Sequence, residues 1–327
     1  MLLVAALSFR LFQARHHAGQ PARRFAFTYA ATISAPPATA SRMDVWIPLA
    51  KTRDNQRILS RRIQSVHPYR IHEEPTYGND LLSLALSSPL PPTIEIAIDY
   101  EVAVFRESRL ETGRAFVPMQ TVSAAELARA LRSEPLMVVD QTVTQLAQQV
   151  TAGRQHEMDK ARAIYDHVLE HMHYDKTEPG WGRGDTLRAC RLGAGNCTDF
   201  HALFISMARA VGIPARFVMG ASVPETAGGD IPGYHCWAEF YHPSYGWVPV
   251  DASEAWKHPQ RRGYYFGTRD PNRILFSAGR NLQLVPAQQG GPVNFLVYPY
   301  VEVDGRPFDG RIETRFQFRN RQQKGAT

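Results

Sequence analysis

Gly195-Asn196-Cys197-Thr198-Asp199-Phe200 opens the segment on which the reading of this chain turns. Beyond it, Phe200, Leu203, Phe204, Met207 and Val211 recur at the three-and-four spacing of one helical face, and Gly212-Ile213-Pro214 supplies a stop. Cys197 is therefore expected in the first turn of a helix, near its buried face. Unpaired backbone N–H groups and the positive end of the helix dipole favour a thiolate there and lower the thiol pKa. The competing reading is a buried structural cysteine, since free Cys also packs as a small hydrophobe.

A thiolate that attacks an amide needs an imidazole to hold the ion pair and then protonate the departing amine. Tyr234-His235-Cys236-Trp237-Ala238-Glu239-Phe240-Tyr241 reads as a strand, His242-Pro243-Ser244-Tyr245-Gly246 as a turn, and Trp247 to Asp251 as the returning strand. A turn centred at residue 243 sets His235 opposite Asp251, Trp237 opposite Pro249 and Glu239 opposite Trp247. Directly opposed Cβ atoms lie about 5 Å apart, so the carboxylate can bond an imidazole N–H and set its tautomer. The alternate positions Cys236, Ala238, Phe240, Val248 and Val250 are apolar, which places Cys236 in the core. A bulge would shift this register by one.

Gly195-Asn-Cys-Thr-Asp-Phe, then Tyr234-His-Cys-Trp-Ala-Glu-Phe, then Gly246-Trp-Val-Pro-Val-Asp-Ala-Ser253 resembles the transglutaminase-like superfamily, in its bacterial cysteine-protease-like branch. The resemblance covers about Glu157 to Phe276 and is most specific from Asn196 to Ser253. It implies an α+β, papain-like core in which a cysteine-bearing helix packs on an antiparallel sheet. It also implies the roles: Cys197 as nucleophile, His235 as base, Asp251 as the residue that orients the base. The reaction implied is cysteine-dependent acyl transfer on a peptide or related amide through a thioester, with hydrolysis leading. Transamidation, meaning protein-glutamine cross-linking, and a catalytically silent binding module are the alternatives. An oxyanion donor is expected at the Cys197 N–H, with Trp181 as a second candidate because some relatives use an upstream indole N–H.

The remaining sequence frames this segment. At 327 residues, 44% hydrophobic and 21% charged, the chain has a globular composition, and no apolar run is long enough to span a bilayer. The net charge of +6 is scattered rather than striped, so no nucleic-acid footprint is expected. The partner expected is a peptide or protein substrate; oligomeric state is left open. Residues 1–23 read equally as a signal remnant or a disordered start, and the apolar beginning favours an extracytoplasmic location slightly over a cytoplasmic one. Residues 24–117 read as an N-terminal β domain, with Phe25, Phe27 and Tyr29 alternating and an exposed loop at Asp54-Asn55. Residues 118–286 form the expected catalytic domain, its helices starting after Pro118 with a cap at Ser123 and including Asp140–Val150 and Met158–His173. Residues 287–327 read as a hairpin in which Phe295–Val303 and Ile312–Phe318 flank Asp304-Gly305. The glycines of Pro179 to Asp185 lack a following Lys-Ser/Thr, and His171 and His173 lack a third ligand, so neither a nucleotide nor a metal cofactor is expected.

Overall fold

Phe25, Phe27, Tyr29, Ala31 and Ile33 are buried while the residues between them are not, because side chains alternate across a strand, and this gives β1 (Arg23–Ser34) one core face. The structure, a computed structural model, describes residues 22–110 and 121–321 apart from positions 35 and 54. The apolar start, Asp54 and the expected transition at Pro118 lie outside those residues. After β1 come β2 (Arg42–Leu49), β3 (Gln56–Ser65), β4 (Arg70–Glu73), β5 (Asp80–Ser87), β6 (Thr93–Val104) and the short β7 (Glu107–Ser108). The central region holds α1 (Ala124–Arg129), α2 (Gln141–Val150), α3 (Glu157–His171), β8 (His173–Tyr174), α4 (Thr186–Leu192), β9 (Ala194–Gly195) and α5 (Cys197–Ala210). Next come β10 (Ala215–Ser222), β11 (Gly228–Ile231), β12 (His235–His242), β13 (Gly246–Val250), α6 (Ala252–Lys257), β14 (Thr268–Arg269) and β15 (Arg273–Ala278). The chain closes with β16 (Tyr300–Val303), β17 (Arg306–Pro307) and β18 (Arg311–Asn320).

The architecture is α+β. Four antiparallel strands in the order β13-β12-β10-β15 form the sheet on which α5 packs. Helices α2, α3, α4 and α6 also touch α5, so it is covered on all sides and its residues Cys197 to Arg209 are buried. Two five-stranded sheets, β11-β18-β1-β6-β3 and β17-β16-β2-β5-β4, form the β-rich part. They meet the helix-bearing sheet through Phe27, Tyr29 and Phe316, whose ring centroids lie 5.1–5.7 Å from one another or from Phe276 of β15.

Three local expectations are corrected. The tail is not one hairpin: β16 pairs with β2, β18 pairs with β1, and only the short β17 turns back on β16 around Asp304-Gly305. Without the tail, β1 and β2 would each be an edge strand with one row of unpaired backbone groups, and the two tail strands satisfy one sheet apiece. Helix α3 ends at His171 rather than His173, because His173 leaves the helix to pair in parallel with β9, its N–H donating to Gly193 O at 2.7 Å. Asn55 is buried, not exposed, since its carbonyl accepts the Phe105 N–H at 2.8 Å.

Candidate active site

The first turn of α5 is built by its cap. Asn196 Oδ1 accepts the Thr198 N–H at 2.9 Å, and the Asn196 carbonyl accepts the N–H groups of Asp199 and Phe200, each at 3.1 Å. Asp199 returns a carboxylate oxygen to the Asn196 N–H at 3.0 Å, completing a capping box. The same carboxylate accepts from Gly182 at 2.7 Å and Gly184 at 3.1 Å, which ties the loop carrying Trp181 to the start of the helix. Gly195 is required by this packing, because a Cβ there would stand 2.3 Å from Asp199 Oδ2. Cys197 follows as the first helical residue, 2% exposed. Among the described residues no protein acceptor takes its N–H, so that donor is free to face a ligand.

Strands β12 and β13 bring the histidine and the aspartate, in a register two residues from the expected one. Ala238 pairs with Val250, Glu239 with Pro249 and Phe240 with Val248, so Asp251 lies past the ladder's end and His235 pairs instead with Gly220 of β10. The turn explains the shift. Three residues, Pro243-Ser244-Tyr245, separate His242 from Gly246, which takes φ +67°, and the Tyr245 N–H donates to His242 O at 3.1 Å. A shift of two preserves the faces, but neither face is solvated: His235, Trp237 and Glu239 are as buried as Cys236 and Ala238. Glu239 is accommodated because Arg216 donates to it at 2.8 Å and Arg269 at 3.0 Å.

Asp251 reaches His235 from a helix cap rather than from a strand. It is the N-cap of α6, where Oδ1 accepts the Glu254 N–H at 2.9 Å and the Ser253 hydroxyl at 3.0 Å. Its other oxygen, Oδ2, lies 2.6 Å from His235 Nε2 and 2.5 Å from Arg273 Nη1. With Nε2 occupied, Nδ1 is the His235 ring nitrogen left open, and the Cys197 side chain is near enough to help raise the His235 pKa. Burial alone would push the His235 imidazole down, but the Asp251 charge and hydrogen bond outweigh it and hold the pKa at about 9. Burial would likewise raise Asp251, yet the charges of Arg273 and then His235 hold it well below the carboxylate range. The Cys197 thiol is drawn well below its ordinary value by a hydrogen bond from Cys236 and, against burial, by the His235 hydrogen bond and charge. The result favours a thiolate beside an imidazolium.

The structure thus brings Cys197, His235 and Asp251 together, and Trp181 takes no part in the hydrogen bonds described for them. Trp181 is 39% exposed on the loop tied to Asp199, with Lys176 Nζ 5.4 Å over its ring. Two further groups escape a local reading of the sequence. Arg273 carries no motif to distinguish it from other arginines. His201 does leave a trace, standing one helical turn after Cys197, but apolar periodicity passes over it. Of the two histidines considered as ligands, His171 Nε2 bonds the Cys190 carbonyl at 2.9 Å while His173 sits on β8. Among the described residues, no cluster of three or more His, Cys, Asp or Glu could hold a metal, and no helix is long and apolar enough to cross a membrane.

Residues 144–252, the segment that carries all three side chains, match the family model of the transglutaminase-like superfamily. An uncharacterized protein of Haemophilus influenzae is 27% identical over 234 residues, 62% of this chain and 63% of that relative. The match thus spans less than two thirds of the relative's length. A solved structure from Cytophaga hutchinsonii, described as a putative cysteine protease, shares the fold with a TM-score of 0.62 at 16% identity, over 93% of this chain and 92% of that one.

Proposed function

We propose that this protein is a cysteine-dependent hydrolase of a peptide or related amide. The observation that carries the reading is the His235 Nε2 to Asp251 Oδ2 contact of 2.6 Å, which leaves Nδ1 open for the thiol of Cys197 at a helix start. In this reading the Cys197 thiolate attacks the amide carbonyl, and the oxyanion meets the free Cys197 N–H, with Trp181 as the second candidate donor. The His235 imidazolium gives its proton to the departing amine as the C–N bond breaks, leaving a thioester. Neutral His235 then takes a proton from water as its oxygen attacks the thioester, the C–S bond breaks, and the acid leaves with the Cys197 thiolate and His235 imidazolium restored. Asp251 keeps Nδ1 aimed at sulfur by holding Nε2–H, and takes no proton itself. The helix-bearing part holds the chemistry, while the β-rich sheets, built from β1 to β6, β16 to β18 and the edge strand β11, support it from behind through Phe276.

The test is turnover of a peptide-amide library by the purified protein and by Cys197→Ala, with and without a primary amine, read by mass spectrometry. Cleaved or deamidated products from the wild type alone support hydrolysis. Amine-bearing products would replace hydrolysis by transamidation. No products, together with a Cys197 thiol inert to alkylation, would reduce the chain to a silent binding module.

A further inference from the structure

The sheet that carries His235 has a second face with a cavity of its own. Phe217 and Phe240 pack toward α5 against His201 and Phe204, so strand alternation turns Arg216, Val218 and Glu239 the other way. There, against the β2–β3 and β4–β5 connections, lies a cavity of about 340 Å³, within the range of small-ligand sites. Glu239 stands four residues along β12 from His235, about 13 Å at strand rise, which sets this cavity apart from the triad. Among the described residues only two carboxylates line it, Glu126 and Glu239, and both accept from Arg216, at 2.9 and 2.8 Å. Glu239 also accepts from Arg269, and Arg269 and Arg109 share Glu107. Lys51 is answered from beyond the wall, by Glu73 at 2.6 Å and Asp80 at 3.1 Å.

Arg53 and Arg129 also line the cavity, and among the described residues no carboxylate pairs with either. Arg53 donates only to the neutral Asn79 Oδ1, at 3.2 Å, and Arg129 to the Thr76 carbonyl, while Arg53 Nε is buried without an acceptor. Two more donors on the same wall are idle: the indole N–H of Trp247, 9% exposed, and Nε of Arg269, 4% exposed, are buried and meet no acceptor. Taking a guanidinium out of water with no counter-charge is costly, and burial first, then the Arg216 charge, pushes the Arg53 pKa down to about 10. Two unanswered guanidinium groups with idle N–H donors beside them complement a dianion that has several acceptor oxygens, and the guanidinium fork matches phosphoryl geometry. We propose that this cavity binds the phosphoryl group of a small ligand, held by Arg53 and Arg129 with the Trp247 indole N–H as a further donor. The site is independent of the reading of Cys197, since none of its residues belongs to the triad.

The probe is inorganic phosphate, titrated into the full chain at constant ionic strength and read by calorimetry and by the Trp247 indole N–H resonance, assigned with Trp247→Phe. Saturable binding that shifts this resonance is the expected result. Affinity should fall about tenfold or more in Arg53→Gln and in Arg129→Gln, because each loses a charged donor, and should hold in Arg311→Gln, on the exposed start of β18. Circular dichroism checks that each variant is folded. No saturable binding, or undiminished affinity in both Arg53→Gln and Arg129→Gln, overturns the proposal. The wild-type resonance gives a check that needs no stable arginine variant, and a Trp247 indole unmoved at saturation overturns the site. Phosphate that instead slows alkylation of Cys197 and leaves Trp247 unmoved would place the anion at the triad, against the proposal.

Discussion

Arg273 Nη1 stands 2.5 Å from Asp251 Oδ2, the same oxygen that His235 Nε2 approaches to 2.6 Å. The two cationic groups share one buried carboxylate oxygen, with Arg273 3% and Asp251 2% exposed. Arg273 has a second carboxylate, Asp270, only at 3.5 Å. Asp251 therefore does two things at once: it orients His235 and it neutralises a buried guanidinium.

Replacing Asp251 by Asn separates those roles. Asn keeps an oxygen to cap α6, but its NH₂ faces Arg273 and His235, both of which donate. Leaving a buried charge unpaired costs about 3–5 kcal/mol, so the expected outcome of Asp251→Asn is a large loss of stability in a denaturant titration as well as a loss of turnover. The double variant Asp251→Asn, Arg273→Met should regain part of the stability and none of the turnover. A single variant as stable as wild type would show that Arg273 does not depend on Asp251.

The pH dependence follows from the two opposed shifts. His235 is raised from the ordinary 6.5 to about 9, so the stability it contributes is complete below 6.5 and is lost as pH rises through about 9. Asp251 is depressed, so its contribution is present above 3.8 and is lost as pH falls through its lowered value. Turnover should show the same alkaline limb, since above about 9 the imidazolium that protonates the leaving amine is gone. In Arg273→Met the limb should move to higher pH, because the Arg273 charge lowers the His235 pKa. A limb near 6.5 in the wild type would contradict the ion pair.

Support from the β-rich part is testable at one ring. Phe276 is fully buried on β15, between Tyr29 at 5.5 Å and Phe27 and Phe316 at 5.7 Å. Phe276→Ala removes the ring that joins the two parts, and the expected loss is about 3–5 kcal/mol of unfolding free energy by chemical denaturation. A loss below about 1 kcal/mol would mean the site collapses to fill the cavity and the parts are joined elsewhere.

The elements that reach only their sequence neighbours were legible, and those that depend on distant partners were not. Phe200, Leu203, Phe204 and Met207 announce α5 because their spacing is a property of the segment alone. The burial of Asp199, His201, Ser206 and Arg209 on that helix is not visible in the pattern, because each is satisfied by a group far away. Ser206 meets Thr186 at 2.8 Å, and Arg209 meets Glu134 at 2.7 Å. The hairpin bearing His235 could be read from its turn residues, but its register could not, since Pro243 to Tyr245 suits turns of more than one length. Arg273 was silent for a similar reason: Asp251 reaches it only after β15 pairs with β10.

Asp199 offers the sharpest test of how the first turn of α5 is held. Its carboxylate accepts three backbone N–H groups, from Gly182, Gly184 and Asn196, at 2.7–3.1 Å. One of these closes the capping box beneath Cys197 and two fasten the Trp181 loop. Asp199→Asn leaves one accepting oxygen and puts an NH₂ where a backbone donor already points, so at least one buried N–H loses its partner at about 1–3 kcal/mol. Because the loop is the less buried side, the bonds to Gly182 and Gly184 should open first. The expected result is faster amide hydrogen exchange at those two glycines, with the α5 interior still protected. Gly195→Ala presses on the same carboxylate through its Cβ and should speed exchange at the same amides. If Trp181 supplies an oxyanion donor, both variants should lower kcat; if the Cys197 N–H acts alone, kcat should hold while only loop exchange changes. Unchanged exchange at Gly182 and Gly184 in a folded Asp199→Asn would show that the loop is fastened by something other than this carboxylate.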